Sequence, residues 1–199
     1  MNMTASMTRT RRRAGTADLV IRVDGDRPPS AEATADITAV CDVVEDRDEY
    51  GRVIVHVTVT PRRLLTEGLR TTLVKNWERS LCRLEGLPVT TIAVASGDCG
   101  GFALEAMLAT DYRIAAPALR LLIPIGVGGA WPDLVRYRLA RKMGAAAIGR
   151  AMQLGCPVDG RQAFDLNLVD VLTEDTASVL AAIAPRPRSL PGHIPFLRS

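Results

Sequence analysis

Aromatic side chains are scarce in this chain, eight in 199 residues (three Phe, three Tyr, two Trp), although 47% of its residues are hydrophobic. A core built from such a chain must be made mostly of Ala, Val, Leu and Ile, and at this length it can be a sizeable one. The aromatics are too few to interleave with a basic patch, and the net charge is only +3, so nucleic-acid binding is not expected. Cys41, Cys82, Cys99 and Cys156 are widely spaced without a C-x-x-C pair, and His56 and His193 lie far apart. That spacing argues against a metal site or a disulfide framework. Lysine is limited to Lys75 and Lys142, leaving the positive charge to arginine. No apolar run approaches membrane-spanning length. Arg9, Arg11, Arg12 and Arg13 are not followed by the apolar stretch of a signal peptide, so the expected location is cytoplasmic. Residues 1–17 read as a disordered basic arm; contact with an acidic surface or nucleic acid is the competing reading. One domain is expected over 18–184, followed by a C-terminal tail over 185–199 that opens with Pro185-Arg186-Pro187-Arg188.

Strand and helix patterns alternate along the domain. Asp18 to Val23 reads as a strand closed by Asp24-Gly25-Asp26. Ser30 is placed to cap a helix with Ala33, Ile37, Val40, Cys41 and Val44 on one face. Arg52 to Thr60 is a strand with apolar residues on both sides. A helix from Thr66 to about Glu85 carries Leu69, Leu73, Trp77, Leu81 and Leu84 in one stripe, and Ala177 to Ala184 supplies a last short helix. The order predicts an α/β fold of parallel strands with crossover helices.

The chemistry concentrates in Ser96-Gly97-Asp98-Cys99-Gly100-Gly101-Phe102-Ala103-Leu104-Glu105. The preceding Thr91 to Ala95 is a short β-branched strand, and Phe102 to Ala109 is a helix that is apolar except at Glu105. The first amides of a helix have no intrahelical acceptor and lie at the positive end of its dipole, so the turn favours negative charge. The Gly101 and Phe102 amides are thus candidates to polarise a carbonyl oxygen, with Glu105, one turn on, to move a proton beside it. A purely structural alternative has the glycines permitting close packing and Glu105 meeting an arginine. Asp98 is either a second acid or a side chain bonded to its own turn. Cys99 is either a nucleophile or a packing residue. Arg136, Arg138, Arg141 and Lys142 form either a phosphate contact or a solvated basic face, and Asp111 and Arg113 are read as structural ion-pair or turn residues.

Two blocks carry a resemblance. The segment from Gly97 through Gly101 and Glu105 to Asp111-Tyr112-Arg113-Ile114-Ala115 resembles the N-G-x-x-x-G-G-G-x-E-L-A-x-x-C-D and I-R-I-A pattern of the crotonase (enoyl-CoA hydratase/isomerase) superfamily. Leu154 to Ala163 and Leu166 to Val171 are similar to a later block of the same superfamily, and with weaker likeness near Trp77 the resemblance covers roughly residues 18 to 173. It implies a crotonase-like spiral of ββα units, shortened at the C-terminus, with Glu105 catalytic, Gly101, Phe102 and Asp98 around the oxyanion and substrate, and no metal. No cofactor is held permanently; CoA enters as part of an acyl-CoA or polyketide thioester. Ser96 to Gly101, Ala109-Thr110-Asp111 and Lys75-Asn76-Trp77-Glu78-Arg79 look more narrowly like the crotonase-like proteins of dihydroxyphenylglycine biosynthesis in glycopeptide-antibiotic producers. Those work with a type III polyketide synthase that makes 3,5-dihydroxyphenylacetyl-CoA from malonyl-CoA. The implied role is a lyase promoting dehydration or aromatisation, or else a non-catalytic partner of the synthase. An oligomer, of this chain or with another crotonase-like subunit, is expected.

The chain also departs from the superfamily pattern. The second glutamate of typical hydratases aligns with Ile125, the loop supplying the other oxyanion donor is reduced to Pro61-Arg62-Arg63-Leu64-Leu65, and Phe102 and Ala103 stand in the last two places of G-G-G.

Overall fold

A computed structural model describes residues 17–25, 30–46, 51–58, 71–123, 133–144 and 157–185. The expectations for the N-terminal arm, most of the tail, the Pro61 to Leu65 segment and Ile125 lie outside them. Strand β1 spans Leu19–Val23 and helix α1 Ala31–Glu45. The Ser30 side chain accepts the Ala33 N–H at 3.0 Å, and α1 buries Ile37, Val40, Cys41 and Val44, the stripe its periodicity predicts. Strand β2 (Arg52–Val57) is buried at five of its six positions, as its apolar residues on both faces require. Helix α2 (Thr71–Gly86) turns Trp77, Glu78, Ser80, Leu81 and Leu84 inward; the expected start at Thr66 is outside the described residues.

Among the described residues, β1, β2, β3 (Thr90–Ala95), β5 (Tyr112–Ala115) and β8 (Val171–Leu172) form a sheet in that order, and every neighbouring pair is parallel. Parallel neighbours need crossovers, and α1 and α2 supply the first two. A second sheet orders β4 (Asp98–Gly100), β6 (Arg120–Leu122) and β7 (Val158–Asp159). The chain passes from the first sheet to the second between β3 and β4, where Gly97 takes φ +68°. It then enters helix α3 (Gly101–Leu108), so strand, strand and helix follow one another as a ββα unit. Strands β5 and β6 stand in the same relation ahead of α4 (Asp133–Met143). Helix α5 (Gly160–Asp165) starts at a capping box in which Asp159 and Gln162 exchange hydrogen bonds, and α6 (Thr176–Ala182) is shorter than the expected Ala177 to Ala184.

The core lies between the first sheet and its helices, with α3 at its centre. Seven of the eight α3 residues are buried; Phe102 is the half-buried exception. A helix apolar all round needs neighbours all round, and α3 is packed by α4 and by strands of both sheets. Its single carboxylate is therefore placed where water does not reach.

Candidate active site around Glu105

The glycine turn is dictated by its surroundings. A side chain on Gly100 would bring its Cβ within 2.7 Å of the Leu122 Cβ across the β4–β6 pair. Gly101 has φ +53°, a left-handed conformation that glycine adopts without steric penalty. The turn delivers the chain into α3 with Gly100 extended and with no side-chain cap hydrogen bond on the helix's opening turn.

Glu105 is 0% exposed. Its Oε2 accepts a 2.7 Å hydrogen bond from the Trp77 indole N–H of α2, while Oε1 has no partner among the described residues. The arginine expected under the structural reading is replaced by a neutral donor. Burial, reinforced by the negative charge of Glu78, pushes the carboxyl up to about 8, against the opposing pull of the Trp77 hydrogen bond and of Arg138. At neutral pH the group is therefore mostly a carboxylic acid, with one oxygen anchored and the other able to carry a proton. Trp77 also meets the Phe102 ring edge-on, with centroids 5.8 Å apart and planes at 86°, which ties the residue at the helix entrance to the residue that holds the acid.

Asp98 lies in β4 and pairs with Arg120 of β6, Nε to Oδ1 at 3.4 Å, which gives it a role in joining the two strands. Cys99 is buried, and desolvation pushes its thiol up to about 12, so the packing reading applies and a ready nucleophile does not. The solvated-face reading of the basic stretch is corrected at two positions. Arg138 is 2% exposed and divides its guanidinium between Glu78 (Nη1 to Oε2, 3.0 Å) and Glu85 (Nε to Oε1, 3.0 Å). Lys142 is half-buried and donates to the Thr110 carbonyl at 2.8 Å, at the far end of α3. Both cations are committed inside the protein and are unavailable to a phosphate in this arrangement; Arg141 remains exposed.

Asp111 and Arg113 are structural. The Asp111 carboxylate accepts from the Thr91 amide and hydroxyl, both at 3.0 Å, and Arg113 pairs with Asp170 at 2.7 Å. Glu78 and Glu85 are not legible from the apolar stripe of α2, which leaves charged residues to the solvent face. The available signal was the spacing of Glu78, Cys82 and Glu85, one helical face that an arginine can span. Among the described residues, no group of three or more His, Cys, Asp or Glu is arranged to hold a metal ion, and no helix is long and apolar enough to cross a membrane.

Over 176 residues the chain is 47% identical to an enoyl-CoA hydratase of Amycolatopsis orientalis, covering 88% of this chain and 81% of that protein. The chain belongs to the crotonase (enoyl-CoA hydratase/isomerase) superfamily. No family profile matches it. Its fold is similar to an enoyl-CoA hydratase/isomerase from Marinobacter aquaeolei, with TM-score 0.67, 14% identity, and 83% of this chain against 70% of that one. It is similar also to an enoyl-CoA hydratase from Bacillus halodurans, with TM-score 0.67, 18% identity, and 83% against 73%. The expected crotonase-like α/β architecture is thus the one present. Within that superfamily fold, the glycine turn leads into the helix that bears Glu105, the residue carried over from the sequence motif.

Proposed function

We propose that this crotonase-superfamily protein is a lyase that dehydrates a CoA thioester, with Glu105 as its proton shuttle and the Gly101 and Phe102 amides as donors to the substrate oxygen. The observation that carries the reading is the setting of Glu105: a fully buried carboxyl with one oxygen on the Trp77 N–H and the other without a partner among the described residues, a turn and a half into a helix that opens at Gly100 without a side-chain cap. One carboxyl suffices for a substrate that already enolises. The Glu105 proton goes to the departing hydroxyl, the C–O bond breaks, and water leaves. The enol C=C pair shifts to make a new double bond to the carbon that loses the hydroxyl, the O–H pair becomes the carbonyl, and that proton returns to Glu105. Hydrogen and hydroxyl are lost together, and the acid is restored.

Such a substrate is a cyclised polyketide thioester on its way to an aromatic ring, where loss of water is strongly downhill. The proposal extends to the DpgB type of dihydroxyphenylglycine biosynthesis, in which a type III polyketide synthase makes 3,5-dihydroxyphenylacetyl-CoA. The likeness of Ser96 to Gly101 and Lys75 to Arg79 to that subgroup supports it. CoA then arrives as part of the substrate.

A second reading is favoured by one observation, the complete enclosure of the Glu105 side chain. On that reading the protein is a non-catalytic partner that binds the synthase and improves its turnover. Glu105→Gln decides between them in a reconstituted synthase assay. The catalytic reading expects the stimulation of aromatic product to fall about 100-fold or more with binding to the synthase retained; full stimulation by the variant establishes the partner reading.

A further inference from the structure

Trp77 is 0% exposed and touches two residues of α3 at once. Its indole N–H donates to the Glu105 Oε2 at 2.7 Å, and its ring meets the Phe102 ring edge-on, with centroids 5.8 Å apart. Phe102 and Glu105 are three residues apart in α3, so they share one helix face a turn from each other. The indole thus bridges the residue at the helix entrance and the residue that carries the acid. An indole has one donor and no acceptor, so the tilt of its ring decides whether the Glu105 oxygen is met. An edge-to-face pair prefers a defined tilt and is worth about 0.5–1.5 kcal/mol beyond the area it buries. The superfamily pattern has glycine where this chain has Phe102, and a glycine there would leave the indole without that contact.

We propose that Trp77 and Phe102 work as one positioning unit of this site: the Phe102 ring sets the tilt of the indole, and the indole N–H holds the Glu105 carboxyl in register with the Phe102 amide, leaving Oε1 to exchange the proton. This rests on the function proposed above. A donor on Oε2 makes that atom the carbonyl oxygen of the acid form, which puts the proton on Oε1. A carboxyl with neither oxygen held turns freely about its last bond, and a reacting group misplaced by about 1 Å loses about 100-fold in rate. Trp77 is the one hydrogen-bond partner that Glu105 has among the described residues. Glu78 and Arg138 act on Glu105 through charge and pair with each other at 3.0 Å, and Lys142 is held at the far end of α3 on the Thr110 carbonyl. Holding the acid in place therefore falls to the indole. Phe102, a departure from the superfamily pattern, is what keeps the indole aimed.

The test joins indole NMR to synthase stimulation, both on the full-length protein. The chain has two tryptophans, so 15N-tryptophan labelling gives two indole N–H signals, which Trp131→Phe assigns. The Trp77 signal is expected to titrate with Glu105, at a midpoint of about 8, and to stop titrating in Glu105→Gln. Trp77→Phe keeps a ring against Phe102 and removes the N–H; maximal stimulation is expected to fall about 100-fold with half-saturation unchanged. Its alkaline limb is expected to move to higher pH, because the lost bond favoured the ionised carboxyl. Phe102→Leu keeps the backbone amide and removes the ring contact, for a loss of about tenfold and a shifted Trp77 signal. Phe102→Gly, which restores the residue of the superfamily pattern, is expected to lose at least as much. In the double variant of Trp77→Phe with Phe102→Leu, stimulation is expected to fall no further than in Trp77→Phe alone. Losses that multiply in the double variant, or an unchanged alkaline limb in Trp77→Phe, overturn the proposal. So does a Trp77 signal that ignores both pH and Glu105→Gln, and this measurement carries the test if the Trp77 variants do not fold. The signal is read without turnover, which separates two failures. A Trp77 signal blind to Glu105 beside an inactive Glu105→Gln sinks the positioning unit and leaves the lyase reading, whereas full stimulation by Glu105→Gln sinks the lyase reading and the unit with it.

Discussion

The two flanks of α3 handle buried charge in different ways. At its C-terminal end the charges find partners: Lys142 and the Arg113 guanidinium both donate to the Thr110 carbonyl, Arg113 pairs with Asp170, and Asp111 is held by Thr91, while the Arg113 Nε has no partner among the described residues. Cations at a helix C-terminus also complement its dipole, which offsets part of the cost of desolvating Lys142 and Arg113. Beside Trp77, by contrast, two carboxylates each leave an oxygen open and a single arginine is divided between α2 glutamates. The difference separates charge that fastens the fold from carboxyls left half-satisfied, which the proposed lyase reading assigns to chemistry.

The largest expected effect comes from breaking the strained side. Arg138→Met takes from the buried Glu78 the cation that meets its Oε2, and is expected to cost about 3 kcal/mol in denaturant unfolding, because an unpaired buried charge is worse than a buried pair. Next is the pH dependence of the two flanks, which runs in opposite directions. Glu105 titrates near 8 when folded and near 4.5 when exposed, so the unfolded chain loses its proton first. Its contribution to stability is whole below pH 4.5 and is lost as pH rises to about 8, by a few kcal/mol. The stability advantage of Glu105→Gln over the wild type should therefore grow across that window. Lys142 is lowered by desolvation from 10.5 to about 8, so the unfolded chain binds the proton more tightly between those values. The advantage of Lys142→Met should shrink as pH rises from 8 to 10.5. Parallel slopes for the two variants would remove the contrast between the flanks.

Smaller effects sharpen the picture. Asp170→Asn, on the fastening side, should cost about 1–2 kcal/mol by thermal unfolding without shifting the Glu105 titration. Gly101→Ala, at the entrance of α3, should cost about 1–2 kcal/mol from its positive φ alone. If its effect on synthase stimulation greatly exceeds its effect on stability, the amide entrance takes part in the reaction; equal losses make it a packing feature only.

Much of this could be read from residue order. Local patterns suffice for α1, whose cap and stripe are set by neighbours three and four residues apart, and for β2, whose apolar residues on both faces require burial on both. The glycine turn and the isolation of Glu105 in an apolar helix were likewise legible, since both are local facts. Charged residues on α2 and α4 were not. Glu78, Glu85 and Arg138 look like solvent-facing residues within their own helices; Glu78 and Arg138 are buried, and Glu85 half-buried, where α2 and α4 meet, Glu78 pairing with Arg138 across 60 positions of sequence.

Sequence by itself therefore determined the superfamily, the strand and helix order, and the one carboxylate placed where its ionisation would be costly. Tertiary structure decided what that carboxylate meets: a neutral indole where an arginine was expected, and a second glutamate within range of its charge. The reason is that propensity and periodicity act over one helical turn or one strand, whereas burial of a charge is settled by whichever distant element closes over it.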